Sequence, residues 1–177
     1  ILLTHLHPDH ISGLVIDGEI YLGSRGFAQE VANAILWRDG PQQGNLVTGS
    51  IESISSGTAI VKRAKDAGLD VEHAGHVEDL AKAGNETAKE IMEDAKEYLA
   101  NFIAILYAVS DPEIVILGGS VALKIDGFIE DVEARVKAKV WSVVSPYVKL
   151  VATQLGEDSG IVGSAHLAFV NDDKKKA

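Results

Sequence analysis

Asp111-Pro112-Glu113-Ile114-Val115-Ile116-Leu117-Gly118-Gly119-Ser120-Val121-Ala122 is the stretch that decides how this chain folds. From Glu113 to Leu117 the residues form an almost continuous apolar run, the pattern of a strand buried on both faces. Gly118-Gly119-Ser120 then turns the strand into a helix. Glycine lets the backbone approach a ligand closely, and a helix N-terminus presents N–H groups that have no partner inside the helix. A nucleotide fits such a corner. A tight strand-to-helix turn with no ligand uses the same residues.

Working outward, Ile91, Ala95, Tyr98, Leu99, Phe102, Ile103, Leu106 and Tyr107 recur at three- and four-residue steps and predict a helix over 86–109. Asn85 or Thr87 suits its cap, and Asp111-Pro112 its stop. Beyond the glycines the pattern predicts a helix over 127–142, a strand over 148–153, a helix over 160–170 and a solvated tail over 171–177. Toward the N-terminus, 14–22 predicts a hairpin with a type I′ turn at Asp17-Gly18. A Gly-rich turn follows at 23–26. Residues 37–50, rich in Gly, Pro, Gln, Asn and Ser, predict a long loop. Helical patterning returns near Ile51 and covers 57–67, with a short helix between Asp70 and Gly84. Strands alternating with helices make an α/β domain, a mixed sheet flanked by helices.

Composition narrows the function classes. The 177 residues suffice for one large domain or two small ones, and 46% hydrophobic residues supply a core. No apolar run reaches the length of a membrane span. A net charge of −10 argues against nucleic acid, whose phosphates call for clustered Lys and Arg. With no cysteine there is neither a disulfide framework nor a thiolate metal site. The start lacks the basic residues of a signal peptide, and Ile1 in place of Met predicts a truncated or processed chain. The cytoplasm is the default location.

Five segments, in order, carry a family resemblance: Leu14-Val15-Ile16-Asp17-Gly18-Glu19-Ile20-Tyr21; Gly23-Ser24-Arg25-Gly26-Phe27-Ala28-Gln29-Glu30; Ile51-Glu52-Ser53-Ile54-Ser55-Ser56-Gly57-Thr58-Ala59-Ile60; the stretch from Asp111 to Ala122; and Leu155-Gly156-Glu157-Asp158-Ser159-Gly160-Ile161-Val162-Gly163-Ser164-Ala165. Each is weak alone. Together, over 14–170, they resemble the C-terminal lobe of the ROK family (repressor, open reading frame, kinase), sugar kinases of the actin-like ATPase fold. The resemblance implies ATP, accompanied by magnesium, as phosphoryl donor and a hexose or amino sugar as acceptor. It implies sugar contacts at Glu30, Asn33 and Glu52. It implies a nucleotide cleft lined by Gly13, Ser56, Gly57, Thr58, Gly118, Gly119 and Ser120. A homodimer is compatible with it.

The departures from the family pattern are informative. The family's zinc site takes one His and three Cys; Asn33, Gln43, Asn45 and Ser50 stand at those positions, so structural zinc is not expected. The Gly-rich phosphate loop that precedes the hairpin in the family is replaced by His5 to Ser12, with only Gly13 kept. The family's first phosphate loop and its catalytic aspartate belong to an N-terminal lobe outside this chain. The resemblance therefore implies a lobe that does not turn over alone. Some members are repressors, which leaves a non-catalytic sugar-sensing lobe as an alternative.

The opening, Thr4-His5-Leu6-His7-Pro8-Asp9-His10-Ile11-Ser12-Gly13, carries a different signal. Three histidines and an aspartate in six residues resemble the first metal motif of the metallo-β-lactamase superfamily. That resemblance implies a zinc or iron hydrolase in which His5 and His7 serve one metal and Asp9 and His10 a second. A loop that binds Zn2+ without catalysis is the plainer reading. The boundaries expected are 1–13 for this segment, with a chimeric junction at Gly13, 14–170 for the kinase-like lobe, and 171–177 for the tail.

Overall fold

The computed structural model describes residues 2–3, 12–163 and 165–166. Chain order begins with two short strands, β1 (Leu2–Leu3) and β2 (Ser12–Gly13), followed by a hairpin of β3 (Val15–Ile16) and β4 (Glu19–Ile20). After a long loop come α1 (Ile51–Ser55), α2 (Gly57–Asp66), α3 (Ala74–Lys82) and α4 (Glu86–Ser110). Then follow β5 (Val115–Leu117), α5 (Ser120–Lys124), α6 (Phe128–Lys139) and β6 (Leu150–Ala152).

The apolar run of the opening quotation becomes β5, an inner strand of a four-stranded sheet with order β2-β1-β5-β6. β1 and β6 flank it in parallel, Leu3 opposite Leu117 and Val115 opposite Leu150, while β2 pairs antiparallel with β1. The sheet is thus mixed, with its central strand buried at Val115 and Leu117. The described ends of the chain's opening, Leu2–Leu3 and Ser12–Gly13, are strands of this same sheet. The separate hairpin turns at Asp17 and Gly18, whose φ values of 52° and 80° are those a type I′ turn needs.

α4 is the spine. Asn85 caps it, its side-chain oxygen accepting the Ala88 N–H at 2.9 Å. Its apolar stripe, including Ile91, Ala95, Leu99, Phe102 and Ile103, is buried against α1, α2, α3 and α6. It stops where Asp111 enters the left-handed region (φ 42°), donating its N–H back to Tyr107 O, and Pro112 cannot continue the helix. Charge lines the seam with α6. Arg135 reaches Asp131 at 2.8 Å, Glu93 at 2.7 Å and Glu97 at 3.3 Å, and Lys139 also pairs with Glu97. Lys96 is nearly buried, and Glu78 (3.5 Å) and Asp131 (3.3 Å) balance its charge.

Several boundaries differ from the sequence reading. The helix expected over 127–142 is α6 alone, because Gly127 starts it at φ 76° and Val140 is already extended. The strand expected over 148–153 contracts to β6. The segment from Asp70 to Gly84 holds the nine-residue α3, whose cap is a histidine, a residue outside the usual capping set. Residues 159–163 are helical, in line with the start of the last expected helix. The tail over 171–177 lies outside the described residues.

The loop before α1 keeps its shape through backbone bonds and one aromatic anchor. Leu36 and Trp37 both donate their N–H to Gly49 O, at 2.9 and 3.2 Å, and Gly49 donates to Pro41 O at 2.8 Å. A Cβ at Gly49 would sit 1.5 Å from Trp37 O, so only glycine closes this loop.

Candidate functional site

A cavity of about 560 Å3 opens between α2, the N-terminus of α3 and the corner from β5 into α5. Leu99, Leu117 and Phe128 give it an apolar floor. Ser56, Gly57 and Thr58 line one wall, and Gly118, Gly119 and Ser120 the facing one. The structure therefore brings together, from two segments about sixty positions apart, six residues that the family resemblance assigns to one cleft. The walls come close: a Cβ on Gly57 would meet Val121 Cγ2 at 3.2 Å. Gly119 holds φ 85° and ψ 162°, a conformation that belongs to glycine.

One expectation changes here. The helix that follows the glycines, α5, is only five residues long, so it lacks the summed dipole that would make its N-terminus an anion site. What the corner supplies is close backbone approach, with charge coming from elsewhere. Lys62 and Lys65 on α2, and Glu72 and His73 before α3, surround the cavity. Sequence reading missed these four. Thr58, Lys62 and Lys65 do recur at helical spacing on one face of α2, the signal that could have exposed two of them. His73 caps α3, its Nδ1 accepting the His76 N–H at 3.3 Å, and its ring lies 3.8 Å from that of His76.

The expected sugar residues lie apart from this cavity. Glu30 is exposed at the end of the hairpin region. Asn33 is also exposed, and its side-chain oxygen accepts the Val47 N–H at 2.9 Å. Glu52, in the first turn of α1, is fully buried. Gly13 belongs to β2 and does not line the cavity. His5, His7, Asp9 and His10 lie outside the described residues. Among the described residues no group of three or more His, Asp or Glu is placed to hold a metal ion.

At the positions where the family pattern places zinc ligands, the residues present do not suit zinc. Amides and a hydroxyl replace imidazole and thiolates. Three of the four are spent on hydrogen bonds within the loop or from it to α1 and the start of α2. Asn33 holds Val47. Ser50 caps α1, its oxygen accepting the Ser53 N–H at 3.4 Å. Gln43 donates to Thr58 at 2.7 Å and accepts from Ser56 at 3.3 Å.

Comparison with known proteins places this architecture. The ROK family matches over residues 12–170. This chain belongs to the ROK family. Among curated ROK relatives, the bifunctional enzyme NanE/NanK of Brucella melitensis is 35% identical over 88% of this chain and 28% of its own length. The N-acetylmannosamine kinase of Salmonella typhi is 31% identical over 88% of this chain and 52% of its own. The chain thus spans about half, or less, of these curated relatives. Of solved structures, the ROK hexokinase of Thermus thermophilus superposes with a TM-score of 0.83 at 26% identity, over 97% of this chain and 57% of that one. A ROK glucokinase of Streptomyces griseus, solved with glucose and AMPPNP, gives 0.74 at 22% identity over 94% and 58%. The fold is accordingly that of the actin-like ATPases, as ROK sugar kinases display it. The metallo-β-lactamase reading of the opening histidines finds no support in the family match or in these relatives. Among the described residues no helix is long and apolar enough to cross a membrane.

Proposed function

We propose that this chain is the C-terminal, nucleotide-binding lobe of an ATP-dependent sugar kinase, with an amino sugar of the N-acetylmannosamine type as acceptor. The observation that carries the reading is the convergence of Ser56-Gly57-Thr58 and Gly118-Gly119-Ser120 on one cavity in a chain of the ROK family. The acceptor follows from the names of the curated relatives.

The cavity suits a nucleotide on physical grounds. Its apolar floor at Leu99, Leu117 and Phe128 takes a flat base out of water. The glycines at 57, 118 and 119 let the backbone lie against ligand without Cβ clashes. Lys65, and Lys62 in its pair with Asp66, bring ammonium groups to a lining that also holds Glu72. Magnesium accompanies the ATP and neutralises its phosphates. Glu30 and Asn33 offer exposed polar groups to sugar hydroxyls, and a carboxylate can accept two or more such bonds. The lobe binds, and turnover needs the remaining length that its relatives possess.

Titration calorimetry tests this. Micromolar to millimolar binding of ATP, with sugar binding weak or absent in the lobe alone, is the expected result. No heat from ATP at millimolar concentration would overturn it.

A further inference from the structure

Gln43, Ser56 and Thr58 close a ring of hydrogen bonds at the edge of the cleft. The Gln43 Nε2 amide donates to Thr58 Oγ1 at 2.7 Å. The Ser56 hydroxyl donates to Gln43 Oε1 at 3.3 Å. The Ser56 and Thr58 oxygens stand 3.1 Å apart. Taken as one closed ring, these contacts use the proton of each hydroxyl inside the ring, in whichever sense the amide is turned; with the amide oxygen toward Ser56 the order is as follows. An amide oxygen only accepts, so the single proton of Ser56 goes to Gln43. Ser56 then has none for Thr58, and Thr58 must donate to Ser56. Ser56 also accepts the Ala59 N–H at 3.1 Å as the cap of α2, which saturates it. Thr58 has accepted once and donated once. One lone pair remains to it, and this exposed side chain lines the cavity.

We propose that Gln43 is a positioning residue for ligand recognition: by closing this ring it turns Thr58 into a fixed hydrogen-bond acceptor facing the cleft. The partner it selects is a ligand group that donates, such as a ribose hydroxyl or a base amine. A phosphate oxygen, itself an acceptor, is disfavoured there. A freely rotating threonine hydroxyl makes no such distinction, because it donates as readily as it accepts. Gln43 does not itself line the cavity, so it acts through Thr58. The loop over 31–50 thereby communicates with the cleft through an amide side chain. The inference rests on the nucleotide reading of this cavity.

The test is calorimetric titration of adenosine and of inorganic tripolyphosphate into the wild-type chain and the variants Gln43→Met, Thr58→Val, their double variant and Gln43→Glu. Adenosine carries the donors without the phosphates, and tripolyphosphate the reverse. Losing one neutral hydrogen bond should weaken adenosine about fivefold in Thr58→Val, and Gln43→Met, whose released Thr58 hydroxyl accepts only part of the time, should fall between that variant and wild type. The double variant should fall no further than Thr58→Val, because the two residues act as one unit. Gln43→Glu should keep adenosine affinity within about twofold of wild type, since a carboxylate, which only accepts, draws the Thr58 proton to itself instead of to Ser56 and still leaves Thr58 lone pairs toward the cleft. Tripolyphosphate should bind no worse to Gln43→Met than to wild type. Additive losses in the double variant, wild-type adenosine affinity in Gln43→Met, or a Gln43→Glu as weak as Gln43→Met would each overturn the inference while leaving the nucleotide reading in place. A wild-type chain that takes up no adenosine or ATP removes the nucleotide reading, and this inference with it. If Gln43→Met does not fold, Thr58→Val and Gln43→Glu still decide the matter.

Discussion

Trp37 lies flat on Tyr98, the two rings 9° from parallel with centroids 5.0 Å apart. The contact fastens the middle of the long loop to the middle of α4. Arg63 of α2 lies over the other part of this arrangement, its guanidinium 6.0 Å from the Trp37 ring and 2.5 Å from Asp94. One indole thus ties a loop, a cleft helix and the spine of the fold together.

Replacing Trp37 with alanine should release the loop. The loss of a half-buried stacked indole is expected to cost about 2–3 kcal/mol. Urea unfolding followed by circular dichroism measures this. A change under about 0.5 kcal/mol, the range of ordinary surface substitutions, would show that the stack does not hold the loop.

Gly119→Val should impair the cleft more than the fold. The backbone there holds φ 85° and ψ 162°, and a branched side chain in that region costs about 1–3 kcal/mol of strain. Relief of the strain moves the wall formed by Gly118, Gly119 and Ser120. ATP affinity is expected to drop at least about tenfold, the equivalent of about 1.4 kcal/mol. Equal affinity in the variant would take this corner out of the binding site.

Acid should destabilise the chain through the seam between α4 and α6. The Lys139 hydrogen bond, helped by Arg135, holds Glu97 below the ordinary carboxylate range against the opposing effect of burial. At Asp131 burial pushes upward, but Arg135 and Lys96 outweigh it and the net direction is down. Beyond the seam, between α6 and β6, burial of Glu133 is likewise outweighed, here by Lys137 and the Leu150 N–H. A carboxylate whose folded value is lowered contributes stability above its unfolded value, near pH 4, and loses it as pH falls through the folded value. Urea midpoints should stay level from about pH 7 to 5 and fall below about pH 4. Arg135→Met should flatten that fall, and an unchanged slope would show that the seam does not set acid stability.

Chelation should leave the loop over 31–50 intact. Asn33, Gln43 and Ser50 hold it with side-chain hydrogen bonds to Val47, Thr58 and Ser53. The melting temperature with and without EDTA is therefore expected to agree within about a degree, whereas removal of a structural zinc unfolds the segment it organises. A drop of several degrees would mean that a metal contributes after all.

The sequence showed α4 and β5 clearly because both patterns are local: a helical stripe with a cap and a stop, and an apolar run closed by glycines. The corner at Gly118, Gly119 and Ser120 was visible for the same reason, whereas Ser56, Gly57 and Thr58 were placed beside it by the family resemblance alone. Lys62, Lys65 and His73 were not visible, because their place beside the cleft depends on α2 and α3 packing against a distant corner. Gln43 was legible only as a residue unlike a zinc ligand. Its role in the ring depends on a loop folding back fifteen positions onto Thr58. Glu52 shows the opposite limit: its position in the family pattern is plain, whereas its complete burial depends on tertiary packing that no local pattern announces.

The two walls of the cleft, at 55–58 and 117–122, meet only once the chain between them, α4 included, has folded back on itself. Closing so long a segment is entropically costly and belongs late in folding, after the local helices have formed. Interactions absent from the folding transition state act on the unfolding rate and leave the folding rate nearly untouched. A ligand bridging these walls would therefore act as a clasp: it would prolong the life of the folded lobe without hastening its assembly.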